Sequence, residues 1–114
     1  MAQPTSPTQS GSNDKDVTVT FTAPDSWSFS SDEVTMDGPG IVRLTRAAGA
    51  TWTFVRAQIT DPHAQFHPSV PSPNTTCVIR DDWKVKGSYK YVVTVKDGGR
   101  EYTSPDPVII NSGP

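Results

Sequence analysis

What this chain of 114 residues has least of is the material of helices and of covalent chemistry. It contains one leucine, Leu44, one cysteine, Cys77, and two histidines, His63 and His67. Scarce leucine beside abundant Thr, Ser, Val, Pro and Gly argues against helices and suits short strands joined by turns. A single cysteine excludes an intramolecular disulfide, so a reducing compartment is comfortable and export is not ruled out. The opening Met1-Ala2-Gln3-Pro4-Thr5-Ser6-Pro7 has no basic region followed by an apolar one, the mark of a secretory leader. A cytoplasmic protein is therefore favoured over an exported mature form. No apolar run is long enough to cross a bilayer as a helix, and no membrane insertion is expected. Lys and Arg number 10 against 12 Asp and Glu, for a net charge of −2, and they form no basic run. No nucleic-acid partner is expected from that distribution.

What is present is period-two alternation. From Tyr89 to Val95, the residues Tyr89, Tyr91, Val93 and Val95 share one face, while Lys90, Val92, Thr94 and Lys96 share the other. Asp97-Gly98-Gly99 breaks the run, and Arg100-Glu101-Tyr102-Thr103 resumes it, which reads as a β-hairpin. Pro105 and Pro107 then interrupt the return strand and place it at an edge or a bulge. Earlier, Val17, Val19 and Phe21 alternate with threonines as a first strand. Short alternating pieces follow at Trp27–Phe29, Val34–Met36, Ile41–Arg46 and Thr51–Ile59, with Val42 and Leu44 on one face and Trp52 and Phe54 on one face. Cys77, Ile79, Trp83 and Val85 suggest further strand pieces around Asp81-Asp82. The sum is seven to eight short strands at a spacing of roughly ten residues, as expected of an antiparallel β-sandwich.

The chain divides into a Pro-, Ser- and Thr-rich tail at 1–15, expected to be disordered, one β-domain at 16–111, and a frayed end at 112–114. Residues 61–75 carry four prolines and no periodicity, and form the longest irregular stretch inside the domain. Long irregular loops are more often functional than short ones.

The final hairpin, Tyr89 to Val95 with Tyr102-Thr103-Ser104-Pro105-Asp106-Pro107-Val108-Ile109-Ile110-Asn111, resembles the ending of many immunoglobulin-like bacterial domains. It covers about a fifth of the chain. The resemblance implies an immunoglobulin-like sandwich and no particular activity, because sandwiches host unrelated functions. The antibody-type Cys…Trp…Cys framework is missing, since there is no second cysteine.

Several residues could carry chemistry. His63 and His67, with Asp61 or Cys77, are competent zinc ligands. The His-x-x-x-His spacing has a geometric meaning only on a helix, and Pro62 and Pro68 flank the pair. A blue-copper site needs a His and a Met soon after its Cys, whereas Cys77 precedes Val78-Ile79-Arg80-Asp81-Asp82 and no histidine lies downstream. Cys77 as thiolate with His63 or His67 as base would make a nucleophile, but its strand-like neighbours favour an inert, buried thiol. Acidic turns at Asp14, Asp16, Asp32, Glu33, Asp37, Asp61, Asp81, Asp82 and Asp97 suit calcium only if neighbouring loops converge, and turn chemistry alone explains them. Asp81 and Asp82 are the first of these to test. The match of Asn74-Thr75-Thr76 to the glycosylation sequon is read as coincidence. No cofactor is expected, and no metal beyond those candidate ligands.

The expected function is therefore non-enzymatic: recognition of a protein or carbohydrate partner through loops or an edge strand. Phe66 and Val70 are apolar residues in a polar, Pro-stiffened loop and mark it as the expected contact element. Trp27, flanked by serines, is the expected exposed ring of a sugar-stacking platform. A metal-binding protein or enzyme using His63, His67 and Cys77 is the remaining alternative.

Overall fold

The structure, a computed structural model, describes residues 14–112. Ten strands follow one another: β1 (Lys15–Thr22), β2 (Ser26–Phe29), β3 (Glu33–Met36), β4 (Gly40–Arg46), β5 (Thr53–Ile59), β6 (Phe66–Ser69), β7 (Thr76–Asp81), β8 (Gly87–Asp97), β9 (Arg100–Thr103) and β10 (Val108–Asn111). They form an all-β sandwich. One sheet has the order β2-β1-β4-β7-β6 and the other β3-β10-β8-β5, with β9 paired to the far half of β8. Among the described residues no helix is long and apolar enough to cross a membrane.

Alternation dictates the interior. Along β1, Val17, Val19 and Phe21 are buried while the intervening threonines are exposed. Val42 and Leu44 of β4 and Cys77 and Ile79 of β7 continue the same layer. Tyr89, Tyr91, Val93 and Val95 of β8 face them from the second sheet with Phe54, Met36 and Ile109. Each large apolar side chain taken wholly out of water contributes about 1.5–3 kcal/mol. Any slip of one residue would turn an entire row of them outward.

The hairpin forms as its spacing predicts. Thr94↔Thr103 through Asp97↔Arg100 are paired, and the two-residue turn Gly98-Gly99 has φ of 60° and 82°. Both central residues of a twist-matched hairpin turn need positive φ, which glycine adopts without strain. The return strand is split into β9 and β10 around Pro105 and Pro107, and Ser104 bridges the break. Its Oγ accepts from Val93 N at 3.0 Å and its N donates to Val93 O at 2.9 Å.

Several expectations need correction. The sheets are mixed rather than purely antiparallel, since β1 runs parallel to β4 and β3 parallel to β10. There are ten strands rather than seven to eight, and one of them falls where a single irregular loop was expected: β6 forms inside residues 61–75 and pairs with β7 from Phe66↔Asp81 to Ser69↔Val78. Pro68 is tolerated there because β6 is an edge strand. Trp83 and Val85 lie in a loop rather than a strand. Order begins before residue 16: Lys15 is in β1, and Asp14 Oδ1 accepts from Ile41 N at 3.0 Å. At the other end Ser112 N donates to Met36 O at 3.0 Å, so this residue is tied down rather than frayed. The rest of the expected tail and end, residues 1–13 and 113–114, lies outside the described residues.

Candidate functional site

The sequence candidates do not assemble into one site. Cys77 is fully buried on the inner face of β7, and burial alone pushes its thiol up to about 12. His67 sits on the outer face, opposite Arg80 in the β6–β7 register. The sheet therefore separates the thiol from that imidazole. His67 Nε2 lies 2.8 Å from Asp82 Oδ2, and Arg80 Nε donates to Asp82 Oδ1 at 3.2 Å. The hydrogen bond from His67 is the largest influence on the Asp82 carboxyl; burial opposes it, but with the Arg80 hydrogen bond and the attraction of both side chains the carboxyl is held below its usual range. His63 meets the ring of Tyr89 edge-on at 6.3 Å. Among the described residues no three His, Cys, Asp or Glu side chains gather as a metal site would require.

The expected contact residues are also placed differently. Phe66 is buried at 6% exposure with its ring 5.1 Å from Tyr89. It was expected to face a partner because the sequence around it is polar and Pro-rich, but β6 turns the ring into the core. Val70 packs partly against the core. Trp27 is half-buried rather than exposed, with its ring 4.3 Å from Phe21 at a 37° tilt. No aromatic ring among the described residues is fully exposed.

A different site emerges where β7 ends and β8 begins. Asp81 is wholly buried. Its Oδ1 accepts from Trp83 N, two residues on, at 2.8 Å, an Asx-turn that opens the loop 82–86. Gln65, wholly buried in the neighbouring loop, supplies the remaining acceptors. Its backbone O takes Asp82 N at 2.8 Å, and its Oε1 takes Lys84 N at 2.8 Å and Val85 N at 3.1 Å. The four consecutive amides of residues 82–85 are thus bound from beneath. Asn111 at the end of β10 ties the supports together, with Nδ2 3.1 Å from both Gln65 Oε1 and Asp81 Oδ1. Trp83 Nε1 donates to Met36 O at 2.8 Å, and Tyr89 Oη donates to Val85 O at 2.9 Å.

The loop held this way is strained. Trp83 has φ of 57°, and Ala64, beside Gln65, has φ of 51°. A non-glycine residue in this region costs roughly 1–2 kcal/mol. Gly87, with φ of 148°, closes the loop; a Cβ there would meet Tyr89 Oη at 3.2 Å. On the outer side of this scaffold stands Val85, the exposed large hydrophobic side chain among the described residues, at 38% exposure.

Two carboxylates at this end are driven in opposite directions. Burial raises the Asp81 carboxyl above its usual range, and the negative charges of Asp82 and Asp61 push the same way. The Trp83 amide and Asn111 offset only part of that. At Asp61 burial is again the largest single effect and pushes the carboxyl up, but the hydrogen bonds from the Phe66, Gln65 and His63 amides and the attraction of His63 together outweigh it, so its carboxyl falls below the usual range.

Sequence reasoning named Asp81 for calcium and missed Gln65, Asn111, Trp83 and Val85 as a group. The Asx-turn signal at Asp81-Asp82 was legible. Nothing in the type or spacing of Gln65 and Asn111 marks them as partners 46 residues apart. No protein-family model matches this chain, and no curated protein is similar to it.

Proposed function

We propose that this protein is a non-enzymatic recognition module of immunoglobulin-like topology that meets a protein partner through the loop 82–86. The carrying observation is that the exposed Val85 rides on a loop whose amides from Asp82 to Val85 are all bound from inside. A loop already held in shape loses little entropy on association. Backbone strain such as that at Trp83 persists where surrounding structure enforces it, and such strain clusters at functional sites.

Two features support the immunoglobulin-like reading. The orders β4-β7-β6 and β5-β8-β10 follow the B-E-D and C-F-G orders of that fold. Tyr89, near the start of the strand in the F position, donates its hydroxyl back to Val85 O and Lys86 O, in the manner of a tyrosine corner. The parallel β1–β4 pair departs from the pattern. A protein partner is favoured over a carbohydrate because a sugar platform needs exposed rings, and the rings here are buried or half-buried.

The test compares wild type with Val85→Asp as bait in native lysate, alongside thermal melting. The expected result is a captured species lost from the variant, with Tm unchanged within about 2 °C, because exposed substitutions are usually within about 0.5 kcal/mol. Identical capture by both baits would remove the loop from the contact surface.

A further inference from the structure

We propose that the edge strand β2 is a self-association site, where a second copy of this chain adds its own β2 antiparallel to the first, with Ser28 at the twofold axis. The free side of an edge strand presents N–H and C=O groups that another strand can join, so edges are normally blunted by charge, proline, a bulge or a cover. The other edges here are blunted. Gln65 O accepts from Asp82 N, which turns residues 66 and 68 to the free side of β6, and Pro68 has no N–H to offer there. β5 has a bulge between Phe54 and Arg56, and Asn74 covers its start, accepting from Phe54 N at 2.9 Å through its backbone O and donating from Nδ2 to Phe54 O at 3.3 Å. β3 carries Glu33, and β9 carries Arg100 and Glu101. β2 has none of these devices. Ser26-Trp27-Ser28-Phe29 holds no charge and no proline, and it pairs with β1 without a register break from Thr22↔Ser26 to Val19↔Phe29.

The phase of the β1–β2 pairing determines what β2 presents. Ser30 N donates to Thr18 O at 2.9 Å, and along an antiparallel pair opposite residues alternate between bonded and unbonded. Ser26, Ser28 and Ser30 therefore turn their backbone groups to β1, while Trp27 and Phe29 turn theirs to the free side. The side chains alternate the other way. Trp27, half-buried, and Phe29, buried, lie on the inner face, and Ser28 is exposed on the outer one.

One register lets this edge satisfy itself. Trp27 stands opposite Phe29 of the second copy, and Phe29 opposite its Trp27, each pair exchanging two backbone hydrogen bonds. Both apolar faces then lie on the same side, so the open part of each Trp27 ring gains a cross-strand aromatic neighbour. Ser26 meets Ser30 and Asp25 meets Ser31, so no two like charges are opposed. The contact is isologous and closes at two copies. The chain's own residues 3–13 are the competing strand, but they carry Pro4 and Pro7 and no large apolar side chain to cover Trp27. A four-residue strand is only about 14 Å long. The contact therefore falls below the roughly 1,200 Å² of stable complexes, and the dimer forms only at high protein concentration.

The inference does not rest on the recognition reading; a failed partner capture leaves it standing. The test is made on the full chain in solution. Sedimentation over a concentration series should show the mass rising from monomer toward dimer and no further. Ser28 opposes its own twin in an unbonded pair, where Cα atoms lie about 4.5 Å apart, within the roughly 4.4–6.8 Å that a disulfide spans. Ser28→Cys should therefore form a covalent dimer under mild oxidation. Ser26→Cys, whose twin lies four residues away along the strand, should not, and the native Cys77 is fully buried. Ser28→Lys and Ser28→Asp should each abolish the dimer by setting like charges together at the axis, and an equimolar mixture of the two should restore it. Val85→Asp should dimerise as wild type does. A monomer at every concentration, equal cross-linking of the two cysteine variants, a dimer that survives Ser28→Lys, or one lost in Val85→Asp would overturn the proposal.

Discussion

At one end of the sandwich, Phe21, Trp27, Trp52 and Tyr102 close the core with rings; at the other, Gln65, Asp81 and Asn111 close it with two amides and a carboxylate. The ends are opposite by register. Gly40 pairs with Asp81 at the start of β4, whereas β1, running parallel to β4, reaches Phe21 near its far end. In the ring end, Phe21 touches Trp27, Trp52 and Tyr102 with centroids 4.3, 6.4 and 5.1 Å away. Such packing is non-directional and tolerates small shifts. At the polar end each bond has one donor and one acceptor, and loss of either leaves the other stranded in a dry place. The ring end supplies stability; the polar end gives a loop one shape at some cost.

Substitutions should separate the two roles. Phe21→Ala should have the largest effect, a loss of about 3–5 kcal/mol in denaturant unfolding, because a buried ring is replaced by a cavity. A loss below about 1 kcal/mol would show that the ring end lies outside the cooperative core. Asn111→Ala should cost less, about 1–3 kcal/mol, but it should selectively speed hydrogen exchange at the Lys84 and Val85 amides. Uniform acceleration across all strands would deny the polar end its local role.

Titration should distinguish the two carboxylates. The raised Asp81 pKa means that the folded state holds this proton more tightly than the unfolded chain, so its contribution is favourable at low pH and is lost as pH rises through the folded value. Asp61, with a lowered pKa, contributes stability that is present above the unfolded value and lost as pH falls through the folded one. Asp81→Asn should therefore compare better with wild type at pH 7 than at pH 3. Asp61→Asn should compare worse at pH 7 than at pH 3. Parallel pH profiles for the two variants would contradict the assignment.

Smaller effects sharpen the comparison. Ala64→Gly removes the strain of a positive φ in the loop that carries Gln65. Relief of roughly 1–2 kcal/mol of strain exceeds the about 0.4–1 kcal/mol by which glycine's extra freedom favours the unfolded chain, so the variant should be more stable by up to about 1 kcal/mol in denaturant unfolding; a loss would mean that the methyl group packs usefully there. His67→Ala at the exposed pair with Asp82 should change stability by no more than about 1 kcal/mol, and less still in high salt.

Most of the ring end was legible in the chain, Trp27 excepted, since it was expected to stand exposed and instead packs on Phe21; the polar end was not legible. Val17, Val19 and Phe21, and the row from Tyr89 to Val95, declare their inner face by spacing alone, since a period of two has one meaning in a strand. Phe66 misled because its setting of His, Gln and Pro looks like surface, and only pairing with β7 turns its ring inward. The parallel partners of β1 and β3 were illegible for a related reason. Alternation tells a strand which side is greasy and says nothing about which neighbour it will find.

The amino-acid sequence by itself determined that this protein is an all-β sandwich, where its tight hairpin turns, and which residues line most of its core, because those properties follow from local spacing and from the conformational freedom of Gly and Pro. Only the tertiary structure decided that Gln65, Asp81 and Asn111 would meet beneath Trp83 and Val85. A hydrogen bond between side chains far apart in sequence depends on the register of several strands at once, and leaves no periodic trace in any one of them.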